Sequence, residues 1–114
     1  MPIASRMTKI NELLSQELSQ LLEEDSEELG MLSVVSVDTS RDLSVAQVFL
    51  ATLTPAKTNL ANQLDHRAKK YRSQLGKRLN LRRIPRFYFH LETQPEAYAH
   101  LESMLSQLDA EVKS

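Results

Sequence analysis

Nine of the fourteen Lys and Arg residues in this 114-residue chain fall between Leu60 and Phe89. They are Arg67, Lys69, Lys70, Arg72, Lys77, Arg78, Arg82, Arg83 and Arg86, and Asp65 is the single acid among them. Cations at this density neutralise anionic oxygens, and a run of them suits the phosphates of a nucleic acid. The formal net charge of -1 conceals the segment. Residues 1–38 hold eight acids against Arg6 and Lys9, and from residue 91 onward five acids face Lys113 alone. A basic middle between acidic ends gives the molecule one cationic side. The plainer alternative is a solvated basic face paired to acids elsewhere.

Catalytic chemistry finds no comparable constellation. The chain has no Cys, so it has no thiolate nucleophile, no disulfide framework and no Cys-based zinc pattern. His66, His90 and His100 are not spaced as a helical ligand pair with a carboxylate. With Gly30 and Gly76 as the only glycines, no glycine-rich phosphate cradle can form. Glu23 and Glu24 lie in an exposed acidic stretch where nothing would raise a carboxylate pKa usefully. The expectation is no enzyme activity, no catalytic residues, no metal and no cofactor. What remains is recognition by charge and shape, dominated by phosphate contacts and sensitive to salt. Tyr71, Phe87 and Tyr88 would add stacking if exposed, although Tyr71, Phe87 and Phe89 read as core.

The elements that must carry these residues follow from periodicity. Met7, Ile10, Leu14, Leu18 and Leu21, widened by Leu13 and Leu22, predict a helix from about Ser5, as N-cap, to Glu24. The acidic run EEDSEE reads as a solvated loop and Gly30 as the turn out of it. LSVVSVD and SVAQVFLATL then predict an antiparallel hairpin turning at Ser40 to Asp42. Val45, Phe49 and Ala51 would share one face, and Ala46, Val48 and Leu50 the other. Thr54 and Pro55 are good residues to start the basic helix, whose packing stripe is Leu60, Leu64, Ala68, Tyr71, Leu75 and Leu79. Gly76 invites a bend or an early end. Ile84-Pro85 forces extended backbone into a third strand, RFYFHLE, with Phe87 and Phe89 on one face and Tyr88 and His90 on the other. A last amphipathic helix is predicted from about Pro95 to Val112 on Tyr98, Leu101, Met104, Leu105 and Leu108.

The length suits one domain with one modest core. The N-terminus becomes polar before a secretory apolar region could form, and no apolar run approaches eighteen residues, so a soluble cytoplasmic protein without membrane association is expected.

Two blocks resemble a known family. The stretch Val37-Asp38-Thr39-Ser40-Arg41-Asp42-Leu43-Ser44-Val45-Ala46-Gln47-Val48-Phe49-Leu50 is similar to the hairpin of ribosome-binding factor A proteins, where Asp-Leu and a later Ala-x-Val-aromatic recur. Arg72-Ser73-Gln74-Leu75-Gly76-Lys77-Arg78-Leu79-Asn80-Leu81-Arg82-Arg83-Ile84-Pro85-Arg86-Phe87-Tyr88-Phe89 resembles that family's R-x-x-L-G-x-x-L-x-L-R-x-x-P-x-L-x-F block. The resemblance covers about residues 5 to 92. It implies an α+β, type II KH-like domain ordered helix, strand, strand, helix, helix, strand, a three-stranded sheet with helices on one side. Residues 1–92 would form this domain, and residues 93–114 a C-terminal helical extension. The family's usual Ala-x-Gly kink between its second and third helices meets Arg67-Ala68-Lys69 here, without the glycine. Both a kinked and a straighter, more basic helix remain open.

The resemblance also implies a function. It is that of a bacterial or organellar, non-enzymatic factor that binds the small ribosomal subunit and its 16S-type rRNA during late processing and maturation, particularly in the cold. All nine cations of the basic segment are then candidate RNA-phosphate contacts. The protein would act as a monomer, with other assembly factors as further candidate partners. The alternative is a protein-interaction or dimerisation module whose end helices form the interface while the basic face is merely solvated.

Overall fold

The computed structural model describes residues 3–53 and 58–92, with side chains from Arg6 onward. The predicted Pro95–Val112 helix and the Thr54-Pro55 helix start lie outside the described residues.

The first helix, α1, spans Ile3–Glu24. Its stripe is buried as the spacing predicts, with Leu14 and Leu18 fully inside and Ile10, Leu21 and Leu22 beside them. Ser5 is a residue of the helix rather than its cap. A capping hydroxyl contributes about 1 kcal/mol, too little to fix a boundary among good helix formers.

The acidic run is a second departure. Instead of a solvated loop, the chain pauses at Asp25 and forms one more turn of helix, α2, Ser26–Leu29. Leu29 explains this, because it is buried in the core and draws the acidic segment down with it. The backbone stays satisfied, since Glu28 and Leu29 donate to the Asp25 carbonyl at 3.1 and 2.9 Å and Gly30 donates to that of Ser26 at 2.8 Å. Gly30 then turns out at φ 82°, a conformation that a side chain disfavours.

Strand β1, Leu32–Thr39, pairs antiparallel with β2, Val45–Thr52, from Thr39↔Ala46 to Leu32↔Thr52, with a bulge between Val34 and Ser36. The turn that joins them is tied by Asp42. One of its carboxylate oxygens accepts from the Ser40 hydroxyl at 2.8 Å, the Ser44 hydroxyl at 2.7 Å and the Ser44 amide at 3.0 Å. Those bonds, together with the charge of Arg83, hold the Asp42 carboxyl down at about 2. Leu43 sits in the same turn at φ 62° yet is buried. Left-handed backbone costs a leucine about 1–2 kcal/mol, and burying its side chain returns about 1.5–3, so the burial prevails.

Thr58 and Asn59 form a turn, and Asn59, also left-handed at φ 62°, caps helix α3, Leu60–Arg78. A helix continuous from Pro55 is therefore ruled out by Asn59, one of the few residues that tolerate this backbone. Within α3 nothing breaks the backbone. It runs through Arg67-Ala68-Lys69, where neither glycine nor proline stands, and through Gly76 to Arg78. The described residues carry one continuous helix between β2 and β3, where the resemblance implies two.

That helix is the crossover that lets β3, Arg86–Glu92, pair parallel with β2 from Val45↔Arg86 to Ala51↔Glu92. The sheet order is β1-β2-β3, so β3 is an edge strand. Cross-strand register sorts the faces. Val37, Val48 and Phe89 lie in line, as do Thr39, Ala46 and Phe87, and both rows face α1 and α3. Val45, Gln47, Phe49, Arg86, Tyr88 and His90 occupy the opposite face, against which no helix of the described residues packs. The domain is thus α+β and KH-like, with its helices on one side of three strands.

Candidate nucleic-acid interface

Helix α3 presents its cations by burying the other side. Leu60, Leu64, Tyr71 and Leu75 are buried against the sheet, with Leu79 packed at the margin. Rotation about the helix axis is fixed further by Tyr71. Its hydroxyl donates to Asp25 Oδ2 at 2.6 Å, and Arg67 Nε donates to the same oxygen at 3.1 Å while its outer nitrogen pairs with Glu28. Burial, then the neighbouring carboxylate, raise the Tyr71 phenol well above its ordinary 10.0. The Tyr71 hydroxyl and the charges of Lys70 and Arg67 hold the Asp25 carboxyl below its ordinary 3.8.

The nine predicted contacts consequently divide. Arg67 is only 16% exposed and serves as the inner partner of Asp25 and Glu28. Arg78 pairs with Glu17 of α1 at 3.3 Å. Lys70 lies near enough to Asp25 to stabilise its charge. Lys77 is exposed near the end of α3.

Lys69, Arg72, Arg83 and Arg86 come together where α3 meets the edge of β3. A concavity of 530 Å³ is lined by Asp65, Lys69, Arg72, Arg86 and Tyr88, and beside it one of 330 Å³ by Ser44, Arg72, Arg83, Arg86 and Tyr88. Local structure holds these side chains in place. Arg72 Nε donates to the Ile84 carbonyl at 3.0 Å, buried Pro85 anchors the connection, and the Arg86 amide donates to Ser44 at 3.0 Å. The hairpin turn is thereby tied to the start of β3.

Arg82 points elsewhere. It lines a 380 Å³ depression with Arg6, Lys9, Asn80 and Leu81. Sequence reasoning missed Arg6 and Lys9 because it weighed them only against the acids of their own segment. Their spacing of three beside buried Ile10 places them on one border of α1, but nothing local says which loop that border meets. Among the described residues no three His, Asp or Glu side chains gather as a metal site. No helix of the described residues is long and apolar enough to cross a membrane.

A family model described as ribosome-binding factor A matches residues 6–105. This chain belongs to the ribosome-binding factor A family. It is similar to the ribosome-binding factor A of Desulfitobacterium hafniense, 35% identical over 88% of this chain and 83% of the relative. With that of Trichodesmium erythraeum it shares 33% identity over 97% of this chain and 85% of the relative. The fold is shared with the crystal structure of ribosome-binding factor A from Thermus thermophilus, at a TM-score of 0.67 and 22% identity over 75% of this chain and 94% of that one. A model of the Thermus thermophilus ribosome-binding factor A, fitted into a cryo-electron microscopy map of its 30S complex, superposes with a TM-score of 0.61 at 24% identity, covering 69% and 87%. In this member of the family α3 runs unbroken through Arg67-Ala68-Lys69.

Proposed function

We propose that this protein is a non-enzymatic ribosome assembly factor that binds the small subunit through rRNA phosphates and acts during late rRNA processing and maturation. The observation that carries the reading is the convergence of Lys69, Arg72, Arg83 and Arg86 on the edge of β3, with Arg72 tied to the frame through its Nε and Arg86 through its backbone amide. Family membership supports it, as does the 30S complex of the Thermus thermophilus relative. Lys70, Lys77 and Arg82 extend the phosphate-binding surface, and Arg6 and Lys9 lengthen it past Arg82. Arg67 and Arg78 hold the helix that carries it. The alternative of an interface built from the end helices is disfavoured by α1, whose apolar stripe is already spent in the core.

The test is co-sedimentation of the full chain with isolated small subunits, large subunits and free small-subunit RNA across a salt series. Selective retention by small subunits that falls as salt rises is expected, with about 0.7–0.9 added to the log–log slope for each phosphate contact. Equal retention by all three, or retention indifferent to salt, refutes the reading. The maturation step is tested separately by removing the protein from cells, where unprocessed small-subunit rRNA should accumulate.

A further inference from the structure

We infer that the paired concavities at the edge of β3 take one unpaired RNA nucleotide, its base stacked on the ring of Tyr88 and its phosphates held by Arg72 and Arg86. The inference rests on the reading of this face as an RNA surface and names what the face selects.

Among the Phe and Tyr side chains of the described residues Tyr88 alone is exposed, at 43%, whereas Tyr71 and Phe87 are buried and Phe89 packs against the core. Its neighbour on the same face, His90, is already engaged, stacked on Phe49 at 5.0 Å between centroids and hydrogen-bonded to Gln47. Tyr88 lines both concavities, and so do Arg72 and Arg86. A half-exposed aromatic ring flanked by two guanidinium groups is the combination that holds a base and its phosphates together. Arg72 spends Nε on the Ile84 carbonyl, and among the described residues its terminal nitrogens make no hydrogen bond. The guanidinium is thus held at the rim with its outer donors left for an anion.

The larger concavity, 530 Å³, is within the range of about 300–1,000 Å³ usual for small-molecule sites. Its single acid, Asp65, repels phosphate and accepts from base amino groups, which sets the polarity: base towards Asp65, phosphates towards Arg72 and Arg86. A base inside a duplex has both faces covered by its neighbours and cannot reach the ring. The site therefore selects single-stranded RNA.

The experiment uses the full chain with a fluorescein-labelled single-stranded decaribonucleotide and a fully paired, blunt-ended RNA duplex, which offers no unpaired nucleotide, at low salt, read by anisotropy. Tyr88→Ala should weaken the single strand by roughly 5- to 150-fold, the measured range for loss of one base–aromatic stack, and leave duplex binding unchanged. The chain contains no Trp, so Tyr88→Trp installs a single reporter whose emission should be quenched by the decaribonucleotide and not by the duplex. Equal losses for both RNAs, binding of the decaribonucleotide without quenching, or no binding of it at low salt each overturn the inference. The two readings fail separately. If Tyr88→Trp is unquenched while the wild type still sediments with small subunits, the nucleotide site falls and the assembly-factor reading stands. If quenching occurs without small-subunit selectivity, the reverse holds.

Discussion

The Tyr71 hydroxyl donates a 2.6 Å hydrogen bond to Asp25 Oδ2, joining residues 46 apart in sequence and the middle of α3 to the junction between α1 and α2. Arg67, one helical turn before Tyr71, reaches the same carboxylate. Removing the donor while keeping the ring isolates this bond. Tyr71→Phe should lower the unfolding free energy by about 1–3 kcal/mol, the penalty of a partly buried carboxylate left short of a donor. Combined with Asp25→Asn the loss should be less than additive, since the two changes remove one shared interaction. Urea denaturation of the four proteins in this cycle checks the claim, and additive losses would mean that the contact is incidental.

The same pair fixes a pH dependence. Asp25 is shifted down by the Tyr71 hydroxyl first and then by Lys70 and Arg67, so its contribution is complete above the unfolded value near 4 and is lost as pH falls through the lower folded value. Tyr71 is shifted up by burial and by Asp25, so its contribution is complete below about pH 10 and declines as pH rises beyond that. Stability should be flat between these limits as far as this pair is concerned. Tyr71→Phe should flatten the alkaline limb, and Asp25→Asn should reduce the acid one. A pH series of urea midpoints reads both, and an unchanged alkaline limb in Tyr71→Phe would remove Tyr71 from the explanation.

How legible this was from the residues depended on the reach of each interaction. Element type followed from local period: the stripes of α1 and α3 and the alternation in β3 are all realised, with Phe87 inside and Tyr88 outside. Boundaries failed where one residue outweighed local preference, as Leu29 did by pulling the acidic run into α2 and Asn59 by turning the chain before α3. The site was legible as composition and not as geometry. Charge density located the basic segment, yet Arg67 looks like its neighbours until α2 brings Asp25 and Glu28 against it. Arg6 and Lys9 look like part of an acidic half until the Asn80–Arg82 loop arrives beside them.

Gly76 supplies a stability prediction of the opposite sign. It lies inside α3 with helical backbone and is exposed, and among the described residues a Cβ built there would meet only Ile84 Cγ1, at 3.8 Å. That is ordinary van der Waals contact. Gly76→Ala should therefore stabilise the protein by about 0.5–1 kcal/mol, the usual gain from alanine in a helix interior. Thermal and urea midpoints check it. A loss of stability would mean that Ile84 cannot accommodate the methyl group, which would locate strain in the connection that carries Arg82 and Arg83.

The division of the nine cations predicts two separable sets of variants. Lys69→Gln, Arg83→Gln and Arg86→Gln remove charges at the edge of β3 and should leave stability within about 0.5 kcal/mol, as surface changes do. Each should also reduce the salt-dependence slope of RNA binding by about 0.7–0.9. Arg67→Gln should behave conversely. It strips Asp25 and Glu28 of their cation and should cost about 1–3 kcal/mol of stability with the slope unchanged. Arg78→Gln should follow the same pattern more weakly, because its pair with Glu17 is more exposed and such pairs contribute about 0–1 kcal/mol. Arg72 belongs to both sets, since its Nε bond to the Ile84 carbonyl supports the connection while the residue lines both concavities. Its glutamine variant should lose slope and stability together. Were Arg67→Gln to flatten the salt dependence as much as Arg86→Gln does at equal stability, Arg67 would contact phosphate directly, and the acids of α2 would be its resting partners rather than its structural ones.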